Sequence, residues 1–205
     1  LRVIRTFGLL LVVAAALAAV SAASASAAPV FESKGGSGKE KVNTKDVTAF
    51  VLKGTVQKTT TEIKCETVSS TNATFTIGTS NDNAEHIEFS KCKVVKPAAC
   101  TVSEPIKTVE VNTTLEEEKG IVFDKFVPAA GTKFTEITIG SCAIKGTYEV
   151  TGTARAEIPH ATEFKKSHEL VFNSGTGSAL EFDKAAATLT GTAADEAVSF
   201  EYKAS

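Results

Sequence analysis

The sequence predicts an all-β domain, an antiparallel β-sandwich or β-barrel-like fold stabilised by two disulfides. Three observations carry this. Apolar and polar residues alternate with a period of two over most of the chain after residue 46; Thr, Val, Ile and Phe are abundant; and four Cys follow an N-terminal stretch with the features of an export signal. Alternation of that period turns one face toward a core and the other toward solvent. β-Branched and aromatic residues fit the pleated, half-buried surface that results.

Arg2 and Arg5 form a positive start, Phe7 to Val20 is almost wholly apolar, and the small-residue run SAASASAA ends at Pro29. This pattern is that of a secretory signal peptide over residues 1–27. The apolar core is shorter than the ~20 residues of a comfortable membrane span. Cleavage is expected after Ala27, because a cut after Ala28 would leave Pro29 next to the scissile bond. No Cys follows the apolar core and the C-terminal residues are polar, so neither lipid attachment nor C-terminal anchoring is expected. Residues 28–46 are polar and Gly- and Lys-rich, which predicts a flexible lead-in. A single β domain is expected over 47–205.

The clearest alternation runs from Cys142 to Ile158. Cys142, Ile144, Tyr148, Val150, Ala154, Ala156 and Ile158 share one face; Lys145, Thr147, Glu149, Thr151, Arg155 and Glu157 share the other. This predicts a long strand, or two strands through a bend, with Gly146 and Gly152 marking bends or close packing. The same pattern occurs at Phe75/Ile77, Ile87/Phe89, Val109/Val111/Leu115, Ile137/Ile139, Leu170/Phe172 and Val198/Phe200/Tyr202. Turn signals fall at 80–83 (SNDN), 116–120 (EEEKG), 128–131 (PAAG) and 173–177 (NSGTG). Alternation, rather than continuous apolar runs, favours antiparallel strands with a solvated face. Helix signals are poor; the best is a turn within Asp183 to Ala187.

Four Cys in an exported chain read as two disulfides. Cys65 shares a face with Ile63, and Cys142 with Ile144, so both point inward. Cys92 falls in the outward set of its strand, and Cys100 follows the loop KPAA. The expected pairs are Cys65–Cys142 across the core and Cys92–Cys100 across a short loop, unless a bulge near Lys91 reverses the facing of Cys92.

The strings IKCETV, EFSKCKV, AAC, IGSCAIKG and AAATLTGTA, in that order over roughly residues 50–195, resemble a group of uncharacterised secreted, Thr-rich, Cys-containing β-domain proteins of actinobacteria. The resemblance implies a bacterial extracytoplasmic setting. It carries no catalytic or binding residue.

The chain has a net charge of −2, and its only Arg beyond the leader is Arg155. An acidic, Arg-poor surface does not suit nucleic acid, which wants clustered cations. No G-x-S-x-G elbow and no C-x-x-C occurs. Cys142 with His160 or His168 could be drawn as a thiol and its base, but the disulfide reading takes that Cys. His86, His160 and His168 lack metal spacing, although the last two flank one loop. Ser80-Asn81-Asp82-Asn83 offers calcium-type oxygens without the glutamate an EF-hand needs, and reads as a turn. Glu116, Glu117 and Glu118 read as a solvated hairpin tip rather than as acid/base carboxylates. Asn72 and Asn112 head glycosylation-type triplets, which say little in a bacterial chain.

The expected role is therefore that of a non-enzymatic exported protein, envelope-associated or extracellular, that binds or builds structure. A cell-wall polymer or another envelope protein is the expected partner, and neither cofactor nor metal is expected. The alternative is a small-molecule or lipid carrier with the sheet closed around a cavity. A secreted hydrolase with a scattered site is the third possibility. A packed or a hollow interior separates the first two.

Overall fold

The computed structural model describes residues 28–203; the expected signal peptide, with its cut after Ala27, lies outside them. Sixteen strands are present among these residues: β1 (Val30–Ser33), β2 (Lys39–Asp46), β3 (Phe50–Val56), β4 (Thr59–Thr71), β5 (Ala73–Thr76), β6 (Asn81–Ala84), β7 (His86–Lys96), β8 (Thr101–Val102), β9 (Ile106–Lys107), β10 (Val111–Glu118), β11 (Ile121–Pro128), β12 (Lys133–Gly140), β13 (Gly146–Glu157), β14 (Lys165–Phe172), β15 (Ala179–Phe182) and β16 (Ala185–Lys203). All pairings are antiparallel, as the alternation predicts.

The network is organised by two long strands, β13 and β16. Each pairs with one set of neighbours in its first half and another in its second. β13 runs beside β12 and β15 up to Thr153, then beside β11 from Ala154. β16 runs beside β15 and β3 up to Thr190, then beside β14 and β2. A glycine marks each change. Gly152 has φ +106°, and a Cβ there would lie 2.0 Å from the Ala179 carbonyl oxygen. A Cβ on Gly191 would lie 2.9 Å from the Phe50 ring. Only glycine allows that conformation and that approach at once.

Two loops of sheet result, sharing β13 and β16. In the first, hydrogen bonding passes through β13, β11, β10, β6, β5, β2, β16 and β14, and returns to β13 through the pair Glu157–Val171. The second runs from β12 through β13, β15, β16, β3, β4 and β7 to β9. Its seam closes through the two-residue β8–β12 ladder and a few further bonds: Val109 N–H donates to Phe134 O at 2.7 Å, Ser103 N–H to Thr138 O at 3.0 Å, and the Thr135 hydroxyl to Lys107 O at 2.6 Å.

Residues 30–46 correct an expectation. No flexible lead-in precedes the domain near Val47; β1 pairs with β16, and β2 lies between β5 and β16. Phe31 and Val42 are buried. The segment is polar because most of β2's side chains point outward, and main-chain bonds on both sides order it without apolar periodicity. Residues 81–84 likewise form β6 rather than a turn.

The disulfides also differ from expectation. They join Cys65 to Cys92 and Cys100 to Cys142, not Cys65 to Cys142 and Cys92 to Cys100. Lys91 has φ +52°, and the inward set on β7 changes there from Ile87 and Phe89 to Cys92 and Val94. β4 changes phase at the same level, from Cys65 to Val68. Cys65 and Cys92 consequently face each other in register. Cys142 lies outside β13, beyond Ser141 at φ +60°, where it meets Cys100 from the loop after β7. That second bond spans the thinly bonded seam. On the chain-entropy model each disulfide contributes about 3–4 kcal/mol.

Candidate functional site

The core is not completely filled. A cavity of about 130 Å³ lies inside the sheets, lined by side chains from β2 through β16. Its walls are largely apolar: Phe50, Phe126, Phe172, Leu170, Leu180 and Ile137 are among them. Besides Thr108 and Thr135, the polar residues on its lining are Thr44, Ser70, Asp82, Thr113, Asp124 and Asp195, from β2, β4, β6, β10, β11 and β16.

The ladders explain how these residues meet. Phe75, Asp82, Thr113 and Phe126 stand side by side across β5, β6, β10 and β11. Thr44, Asp195 and His168 do so across β2, β16 and β14. The acids thus sit between two aromatic groups. One contains Phe31, Phe75, Phe200 and Tyr202; the other contains Phe50, Phe89, Phe126 and Phe172. Asp124 shares the inward face of β11 with Val122 and Phe126, and is 2 % exposed; Asp195 is 7 % exposed and Asp82 half-buried.

The Thr113 hydroxyl donates to Asp82 Oδ1 at 2.7 Å, and the Thr44 hydroxyl to Asp195 Oδ1 at 2.6 Å. Asp124 Oδ1 is buried with no hydrogen-bond partner. A hydroxyl carries one proton, and Thr113 gives its proton to Asp82. No Lys or Arg forms an ion pair with these three acids among the described residues. Arg155 lies elsewhere, 3.9 Å from the centre of the Phe123 ring and bonded to Glu116 and Glu118.

Burial is the main force on these carboxyls, since a charge in an apolar interior loses its hydration. It pushes Asp82 up to about 7, against the pull of the Thr113 hydrogen bond. Asp195 rises to about 6, also by burial and against its bond from Thr44. Asp124 is held well above the ordinary carboxylate range, first by burial and then by repulsion from Asp82. Burial also raises the Tyr202 phenol, with the three acids adding to the effect. His168 is 2 % exposed and held below its ordinary value by burial. Its Nε2 lies 2.9 Å from Phe200 O. A carbonyl only accepts, so Nε2 donates, and the buried Nδ1 is left as an unpaired acceptor in the neutral ring.

The other residues singled out in the sequence do not converge on this place. His160 is exposed beside Glu163, and His86 bonds with Thr71 at the surface end of β7. Among the described residues no three His, Cys, Asp or Glu side chains come together to hold a metal. Cys142 is bonded to Cys100 and is no free thiol. Glu116 and Glu118 flank the β10–β11 hairpin and pair with Lys125 and Arg155. Asn72 turns the chain between β4 and β5, and Asn112 is exposed on β10. The sequence pattern singles out neither Asp124 nor Asp195, and it places Asp82 in a turn. The signal was a charged residue in an inward position, as in Val122-Phe123-Asp124-Lys125-Phe126.

No helix among the described residues is long and apolar enough to cross a membrane, and the two disulfides suit an oxidising compartment. The chain matches no family model, no curated protein and no solved structure in the comparisons made.

Proposed function

We propose that this is an exported, non-enzymatic binding protein that carries a small, largely apolar molecule in its interior. The cavity carries this reading over the envelope-structural one. A β core built only for strength fills its inside with side chains to near crystal density, whereas this one keeps about 130 Å³ open. For scale, a cavity of about 150 Å³ accepts benzene. Export is supported by the leader pattern ending at Ala27 and by the two disulfides. The hydrolase reading gains three carboxyls but lacks a cleft: glycoside cleavage needs two of them flanking a bound sugar with room for water, and this space holds a single small ring.

Toluene tests the carrier reading. Heteronuclear NMR of the oxidised protein should show its methyl contacts to cavity-lining residues such as Leu170, Leu180 and Ala154. The melting temperature should rise with toluene concentration, as expected for a ligand of the folded state alone. The variant Ala154→Leu, which fills part of the space, should weaken binding about tenfold or more. Toluene shifts confined to surface residues would sink the reading.

A further inference from the structure

The cavity's polar lining points to the class of molecule it takes, an inference that rests on the carrier reading above. We propose that the ligand is a small monocationic amine, its ammonium seated among Asp82, Asp124 and Asp195 and its apolar body directed along the phenylalanine wall. Four observations support this.

The lining offers three carboxyls and no cation. The two hydroxyls bonded to these acids already spend their protons, Thr113 on Asp82 and Thr44 on Asp195. An ammonium brings three donors and a charge that favours the ionised form of these carboxyls. Second, Asp124 is 2 % exposed, lines the cavity and has an oxygen without a partner. A buried unpaired carboxyl oxygen costs stability on its own, and binding would relieve that cost. Third, the three acids come from three strands, so their convergence is a product of the fold and not of a local acidic run. Fourth, the residues beside them are apolar, Phe126 next to Thr113 and Ala193 next to Asp195, which suits a hydrocarbon body and not a hydrated metal. The three-ligand geometry for a metal is also missing among the described residues.

Calorimetric titration with benzylamine, benzyl alcohol and toluene tests this, the three probes sharing a ring and differing in the head. Benzylamine should bind at least about tenfold more tightly than toluene, with benzyl alcohol between them, since charge-assisted hydrogen bonds are roughly twice as strong as neutral ones. In Asp124→Asn, which keeps the shape, the preference for benzylamine over toluene should fall by about tenfold. Toluene binding also reports whether the variant is folded, and the three-probe comparison needs only the unaltered protein. If toluene binds and benzylamine binds no better, the amine proposal fails and the carrier reading stands. If none of the three binds, because the space holds only water, both fail.

Discussion

At the scale of single residues, the buried acids make a pH prediction. Asp82 and Asp195 take up protons at about 7 and about 6 in the folded chain, against 3.8 for an ordinary Asp. Between those values the folded state holds protons that the unfolded state has released. Stability therefore falls as pH rises from near 4 to near 7, and the loss is complete above the folded-state values. Asp124 shifts in the same direction. Glu88 and Glu163 shift the opposite way, each through a hydrogen bond from a lysine (Lys107 and Lys165), but they lie at the surface and contribute little. Urea unfolding should show the protein more stable at about pH 5 than at about pH 8, by on the order of 2–4 kcal/mol. Asp82→Asn should flatten the profile. A profile that rises over this range, or one unchanged by the substitution, would show that these carboxyls are ordinary.

At the scale of elements, the partner changes of β13 and β16 depend on single glycines. Gly152→Ala places a methyl on the Ala179 carbonyl and requires a φ that alanine resists. A loss of about 3 kcal/mol or more is expected in chemical denaturation; a loss under about 1 kcal/mol would mean that β15 can shift aside. Much of this level was legible in the sequence. The alternation at Tyr148, Val150, Ala154, Ala156 and Ile158 matches the buried face of β13 and its continuation, and the tips at Lys119–Gly120 and Asp183–Lys184 fall within the expected turn regions. Two features were not decided by the sequence: the order of β2, and the bulge near Lys91, which it leaves open as an alternative. β2 is ordered by main-chain bonds on both sides, and a hydrophobicity pattern does not record main-chain bonds. The phase change at Lys91 needs a left-handed residue, and lysine, unlike glycine or asparagine, gives no sign of adopting one. That one residue turned Cys92 inward and overturned the expected disulfide pairing. The acid group was hidden for a related reason: each Asp looks like a surface charge until its strand's neighbours are known.

At the scale of the whole molecule, the two loops of sheet differ in how they close. The first closes through the ladder pair Glu157–Val171, and the second through the short β8–β12 ladder and a few further hydrogen bonds, reinforced by Cys100–Cys142. Reducing that disulfide, or replacing both residues by Ser, should raise hydrogen exchange at Ser103 and Val109 by about tenfold or more. The amides of Leu115 and Ala156, in the first loop, should stay protected. Equal acceleration on both sides would show that the molecule opens as one unit and that the seam is not its weak line.

The seam has a consequence for the timing of loading. A bond that forms only in an oxidising compartment cannot latch the sheet during synthesis in the cytosol. On the reading of an exported carrier, the sheet would be latched only after export. On that reading the contents would be drawn from the surroundings of the cell and not from its metabolism.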